Sequence, residues 1–184
     1  MATIRLPQDF KEFLKLLKEH KVRYLLIGGY AVGFHGYPRA TADMDIWVAI
    51  HPDNADKIVA ALKEFGFDLP ELTPQLFLRE KQIIRMGVPP VKLELCTSIS
   101  GVEFDACYEA RVVAELDGVK VNLIGLAAGR NAPRRRICLS PGLSVQNRPA
   151  SSWGRSWGFE IICPVQPPSD SIIPIGIVHG RYRV

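Results

Sequence analysis

The 184-residue chain has no apolar run approaching the ~20 residues that a membrane-spanning helix needs, and its first ten residues lack the apolar stretch of a secretory leader. Both absences point to a cytosolic protein without a membrane partner. Cysteine is sparse: Cys96, Cys107, Cys138 and Cys163 follow none of the spacings that build a zinc site, and nothing marks the chain as secreted, so reduced packing thiols are expected. The four histidines, His20, His35, His51 and His179, also form no ligand pattern. Glycines never fall in the Gly-x-Gly-x-x-Gly order of a dinucleotide fold, and no internal repeat is present.

Lysine is missing from the last part of the chain. Residues 1–129 hold nine Lys and six Arg against 17 acids, a balance of −2, whereas residues 130–184 hold eight Arg against Glu160 and Asp170, a balance of +6. That second segment also carries seven of the 14 prolines, two of the three tryptophans and no methionine. The sequence therefore divides into a folded unit over 1–129 and an irregular, basic, Pro/Arg/Ser-rich tail over 130–184 that is not expected to form a domain. Arg130, Arg134, Arg135 and Arg136 would suit a nucleic-acid arm, but they lie on no regular surface, and a solvated tail contributing no catalytic residue is the expectation.

Within the first unit, Phe10, Phe13, Leu14 and Leu17 recur at helical spacing between Pro7 and Lys21 and predict an amphipathic helix. VRYLLIGG reads as a buried strand ending in two glycines, YAVGFHGY as a short helix entered from them, and DMDIWVAI as a second strand. DNADKIVAALKEFGF is a long helix with an acidic first turn, as the helix dipole favours. KQIIRMG and VKLELCTS are strand-like runs on either side of Pro89-Pro90, GVEFDACYEA is a short helix, and Asp117-Gly118 marks a hairpin within RVVAELDGVKVNLIG. The order α-β-α-β-α-β-β-α-β-β predicts an α/β (α+β) fold, a mixed twisted sheet with helices packed on it.

Chemistry concentrates at two carboxylates one residue apart. Strand side chains alternate, so Asp43 and Asp45 face the same way and stand close enough to share a divalent ion through hard oxygen ligands. Some 15 residues earlier, Gly28 and Gly29 sit at a strand-to-helix junction where backbone N–H groups are open to an anion. A third acid, Glu94, lies in the apolar strand VKLELC, where a lone charge requires a partner.

The segment GGYAVGFHGYPRATADMDI resembles the signature of the DNA polymerase beta type nucleotidyltransferases: a Gly-Gly or Gly-Ser turn, a short helix, Asp-x-Asp, and an acid on a later strand. Its finer flavour, with RATADMD and LELCTSISGVEFDACYEARV, is similar to small bacterial and archaeal nucleotidyltransferases of the AbiEii toxin type and of related uncharacterised groups. The resemblance covers about residues 8–125. It implies that Gly28, Gly29, Arg39 and Thr41 bind the nucleotide, that Asp43 and Asp45 hold two Mg²⁺ ions, with Mn²⁺ as a substitute, and that Glu94 is the third catalytic and metal-binding carboxylate. The implied activity is transfer of a nucleoside monophosphate from an NTP to an acceptor hydroxyl on RNA such as tRNA, on a small molecule or on a protein. A cognate antitoxin or toxin partner is implied as well. Tyr30 stands where many members have serine, and Glu94 where aspartate is usual. An inactive remnant that binds a nucleotide or a partner protein is the alternative. A Rossmann site is excluded by glycine spacing and by acids that enter the second strand instead of ending it.

Overall fold

The computed structural model describes residues 4–37, 40–88, 91–125 and 159–162. Helix α1 (Gln8–Glu19) buries Phe10, Phe13, Leu14 and Leu17, the stripe its spacing predicts. Helix α3 (Pro52–Glu64) opens with proline at its start, where the missing N–H costs nothing, and buries Ala55, Ile58, Val59, Ala61 and Leu62. The two helices pack on each other. The Phe13 and Phe65 rings lie 5.2 Å apart, and His20 pairs with Glu64 at 2.7 Å.

Among the described residues, seven strands form one mixed sheet in the order β5-β6-β1-β2-β4-β3-β7. Their ranges are β1 (Tyr24–Leu26), β2 (Asp43–Val48), β3 (Ile83–Val88), β4 (Val91–Cys96), β5 (Val112–Leu116), β6 (Val119–Leu123) and β7 (Phe159–Ile162). Strand β2 is central, antiparallel to β1 and parallel to β4. Strand β3 runs antiparallel to β4 and to β7, and β5 and β6 form the hairpin closed at Asp117-Gly118. Both turn residues have positive φ, +48° and +83°, as a tight two-residue hairpin requires.

The fold is thus the expected α/β arrangement with helices on a mixed sheet. Two features depart from the predicted element order. A 3₁₀ turn at Pro74–Leu78 sits in the Pro-marked loop and buries Phe77. Strand β7 extends the sheet from within the segment read as an irregular tail; periodicity predicts no strand there, because four residues are too few to show a pattern. The rest of the predicted tail, including Arg130 and Arg134 to Arg136, lies outside the described residues.

On β2, Met44, Ile46 and Val48 are wholly buried on one face. The other face carries Asp43, Asp45 and Trp47. Helix α4 (Phe104–Glu109) covers the Trp47 end, with the Phe104 ring 5.1 Å from Trp47 and nearly perpendicular to it. The indole N–H of Trp47 donates to the Thr97 carbonyl at 3.2 Å. Beyond this aromatic cover lie the two aspartates.

Candidate active site

Asp43 and Asp45 share a face because they are two apart on one strand. The parallel register of β2 and β4 then sets Asp43 beside Lys92 and Asp45 beside Glu94. The antiparallel register of β3 and β4 sets Arg85 beside Glu94. Asp43, Asp45, Lys92, Glu94 and Arg85 therefore occupy adjacent places on one face of the sheet, and Glu160 of β7 is in register with Arg85. Asp45 and Glu94 are buried, at 8% and 6% exposure, while Asp43 is half-buried at the open end.

The glycine pair packs directly on this strand. Gly28 has φ +63°, and a Cβ built on it would lie 1.8 Å from Oδ2 of Asp45. The carboxylate thus occupies the space of an absent side chain, and the backbone of Ile27 donates to the Asp45 carbonyl at 2.9 Å. A Cβ on Gly29 would meet Cβ and Oγ1 of Thr41, both at 2.6 Å. Thr41 in turn donates its hydroxyl to the Asp43 carbonyl at 3.1 Å. The glycines are accounted for by the close approach of Asp45 and Thr41, in addition to any ligand they touch. Both begin helix α2 (Gly28–Phe34), so the helix starts at the pair and not after it.

Tyr30, at the position where a serine is common in the resembling proteins, turns into the core. Its ring meets Phe10 edge-on at 5.9 Å. Burial, and secondarily the charge of Asp43, pushes its phenol pKa up. Arg39 lies outside the described residues.

Glu94 accepts a hydrogen bond at Oε1 from Nε of Arg85 at 2.7 Å. Its other oxygen, Oε2, is buried and has no hydrogen-bond partner among the described residues. Burial pushes the Glu94 carboxyl above its ordinary range; Arg85 pulls it back by charge and hydrogen bond, and Asp43 adds to the rise. Desolvation outweighs the ion pair, as expected for a buried carboxylate with half of its acceptor capacity unused. Next along β4, the Cys96 thiol is pushed far up by burial and then by Asp45 and Glu94, so it is an inert packing group. Cys96 and Cys107 are both free thiols.

The structure thus brings Gly28, Gly29, Thr41, Asp43, Asp45 and Glu94 to one place. Among the described residues, however, no three His, Cys, Asp or Glu side chains stand together as a ready metal-ligand set. Glu94 is instead engaged by Arg85. That arginine was detectable in the sequence: a two-residue link at positions 89–90 pairs 88 with 91, and counting back three steps pairs Arg85 with Glu94.

Comparison of the sequence with protein-family models and with curated proteins finds no match. Among solved structures, the chain is similar to a candidate nucleotidyltransferase of Thermotoga maritima, TM1012, with 18% identity over 64% of this chain and 76% of that one and a TM-score of 0.44. No helix among the described residues is long and apolar enough to cross a membrane.

Proposed function

We propose that the chain is a metal-dependent nucleotidyltransferase that moves a nucleoside monophosphate from an NTP to an acceptor hydroxyl. The observation that carries this reading is the seating of Asp45 against Gly28 beside Glu94, with Asp43 one step outward on the same strand face. Asp43 and Asp45 offer the hard carboxylate oxygens that Mg²⁺ and Mn²⁺ prefer. Mg²⁺ is usually held by one or two carboxylates with substrate phosphates and water completing its shell, so the pair fits without a third protein ligand. An ion bound there would neutralise triphosphate charge and orient the pyrophosphate leaving group.

The chain's own residues supply position and proton handling. The backbone of Gly28 lies against Asp45 and that of Gly29 against Thr41, where phosphates sharing the ion would rest, and Arg39 and Thr41 would complete the nucleotide contacts. The acceptor oxygen attacks the α-phosphorus as the bond to the β-phosphate oxygen breaks and pyrophosphate leaves. Glu94 takes the acceptor proton on Oε2, the oxygen that Arg85 leaves unoccupied. The acceptor belongs to RNA such as tRNA, to a small hydroxylated molecule or to a protein, and an AbiEii-like role with a cognate antitoxin is the finer form of this proposal.

Asp45→Asn should weaken Mg²⁺-dependent nucleotide binding or transfer by tenfold or more, about 1.4 kcal/mol. Calorimetric titration with Mg²⁺ and each of the four NTPs tests it, and equal behaviour of variant and wild type would sink the proposal. The contact between Arg85 and Glu94 favours a second reading, a nucleotide-binding protein that no longer transfers. Metal-dependent NTP binding with no pyrophosphate released in the presence of tRNA or cell extract would select it.

A further inference from the structure

On the reading of Asp43 and Asp45 as metal ligands, we infer that the site takes a single divalent ion, and that the guanidinium of Arg85 occupies the place beside Glu94 where a second ion would otherwise bind. Three observations carry this. Arg85 and Glu94 are paired in register on β3 and β4, and their flanking pairs, Ile84 with Leu95 and Met86 with Leu93, are buried. The arginine backbone is therefore fixed opposite the glutamate. Its Nε donates to Oε1 at 2.7 Å, and the Glu94 side chain is only 7% exposed against 30% for Arg85, so the carboxylate end of the pair is shielded from water while the guanidinium is partly exposed. Finally, the three acids do not converge as a ligand set, although Asp45 and Glu94 are neighbours across β2 and β4.

A second divalent ion on Glu94 would have to share the carboxylate with a guanidinium in a site that water screens poorly, and like charges at that separation repel strongly. Arginine is always charged, so the obstacle is present at every working pH. Lys92, in register with Asp43, adds a further positive charge to the same face. What remains on Glu94 is Oε2, more than nine-tenths buried with its residue and without a hydrogen-bond partner among the described residues. Arg85 is in this view a positioning residue. It holds Oε1, neutralises the third acid and leaves Oε2 to the acceptor hydroxyl.

The test counts Mn²⁺ bound per full-length chain by electron paramagnetic resonance in the presence of saturating α,β-methylene analogues of each of the four NTPs. One tightly bound Mn²⁺ is expected in the wild type. Glu94→Gln, which keeps an acceptor for Arg85, should leave Mn²⁺ affinity within twofold, whereas Asp45→Asn should weaken it tenfold or more. Arg85→Met should admit a second Mn²⁺; if that variant fails to fold, the wild-type count and Glu94→Gln decide. Two ions on the wild type, a tenfold loss in Glu94→Gln, or a folded Arg85→Met that still binds one ion would overturn the inference while leaving the nucleotidyltransferase proposal standing. No Mn²⁺ bound with any analogue would remove that proposal and this inference with it.

Discussion

Gly28 and Gly118 both hold positive φ, +63° and +83°, yet a side chain at each would meet different surroundings. At Gly118 a Cβ would enter open space; at Gly28 it would fall within the Asp45 carboxylate. Gly118→Ala should therefore lose only the backbone preference, about 1 kcal/mol. Gly28→Ala adds an overpacking term of about 1–3 kcal/mol. Urea unfolding of the two variants side by side isolates that second term, and a Gly28→Ala variant no less stable than Gly118→Ala would show that Asp45 turns aside freely. Because the displaced group is the carboxylate proposed above to bind the metal, Gly28→Ala should on that proposal also weaken Mn²⁺ binding, which Gly118→Ala should not.

At the level of elements, a buried side chain helps to tie together β1, β2 and α3. Asn54, 3% exposed, accepts the Arg23 N–H at 2.7 Å and donates to the carbonyls of Ala49 at 3.0 Å and Arg23 at 3.2 Å. Asn54→Ala leaves one backbone donor and a carbonyl short of partners, so a loss of about 2–4 kcal/mol is expected in urea unfolding. Asn54→Asp should recover less than half of it, because Asp keeps the acceptor and loses both donors; full recovery would contradict the assignment. Asn54 drew no notice in the sequence, where it is one polar residue in an acidic first turn. The helix around it was legible because Ile58, Val59 and Leu62 repeat at helical spacing. The side-by-side placing of Asp43 and Asp45 was legible for a similar reason, strand alternation. The parallel pairing of β2 with β4 that delivers Glu94 to Asp45 leaves no local trace, since it depends on which strands meet after α3 and the β3 link. Strand β1, only three residues long, was readable as apolar, but not as the neighbour of the central strand.

For the molecule as a whole, the ends of the first unit are joined by a charge. Asp117 sits at the β5–β6 turn, where its Oδ2 accepts the Leu6 N–H at 3.0 Å and pairs with Nζ of Lys11 at 2.8 Å. Residues 111 apart in sequence are thereby held together at the entry to α1, whose buried stripe lies against the core. The Lys11 hydrogen bond, then the Leu6 N–H, hold the Asp117 carboxyl below its ordinary range. A carboxyl whose pKa is lower folded than unfolded stabilises the fold above its unfolded pKa, and that contribution disappears as pH falls through the folded value. Asp117→Asn isolates the charge, because asparagine tolerates the positive φ of the turn and still accepts from Leu6. Wild type should therefore exceed the variant in urea midpoint at pH 7 and equally at pH 5, with the gap closing below about pH 3.8, the ordinary aspartate value. A gap that persists undiminished at pH 2.5 would mean that the carboxylate's charge is not what ties the hairpin to α1. The exposure of the pair predicts one more feature: the gap at pH 7 should shrink when the salt is raised to 1 M, where the screening length falls to about 3 Å.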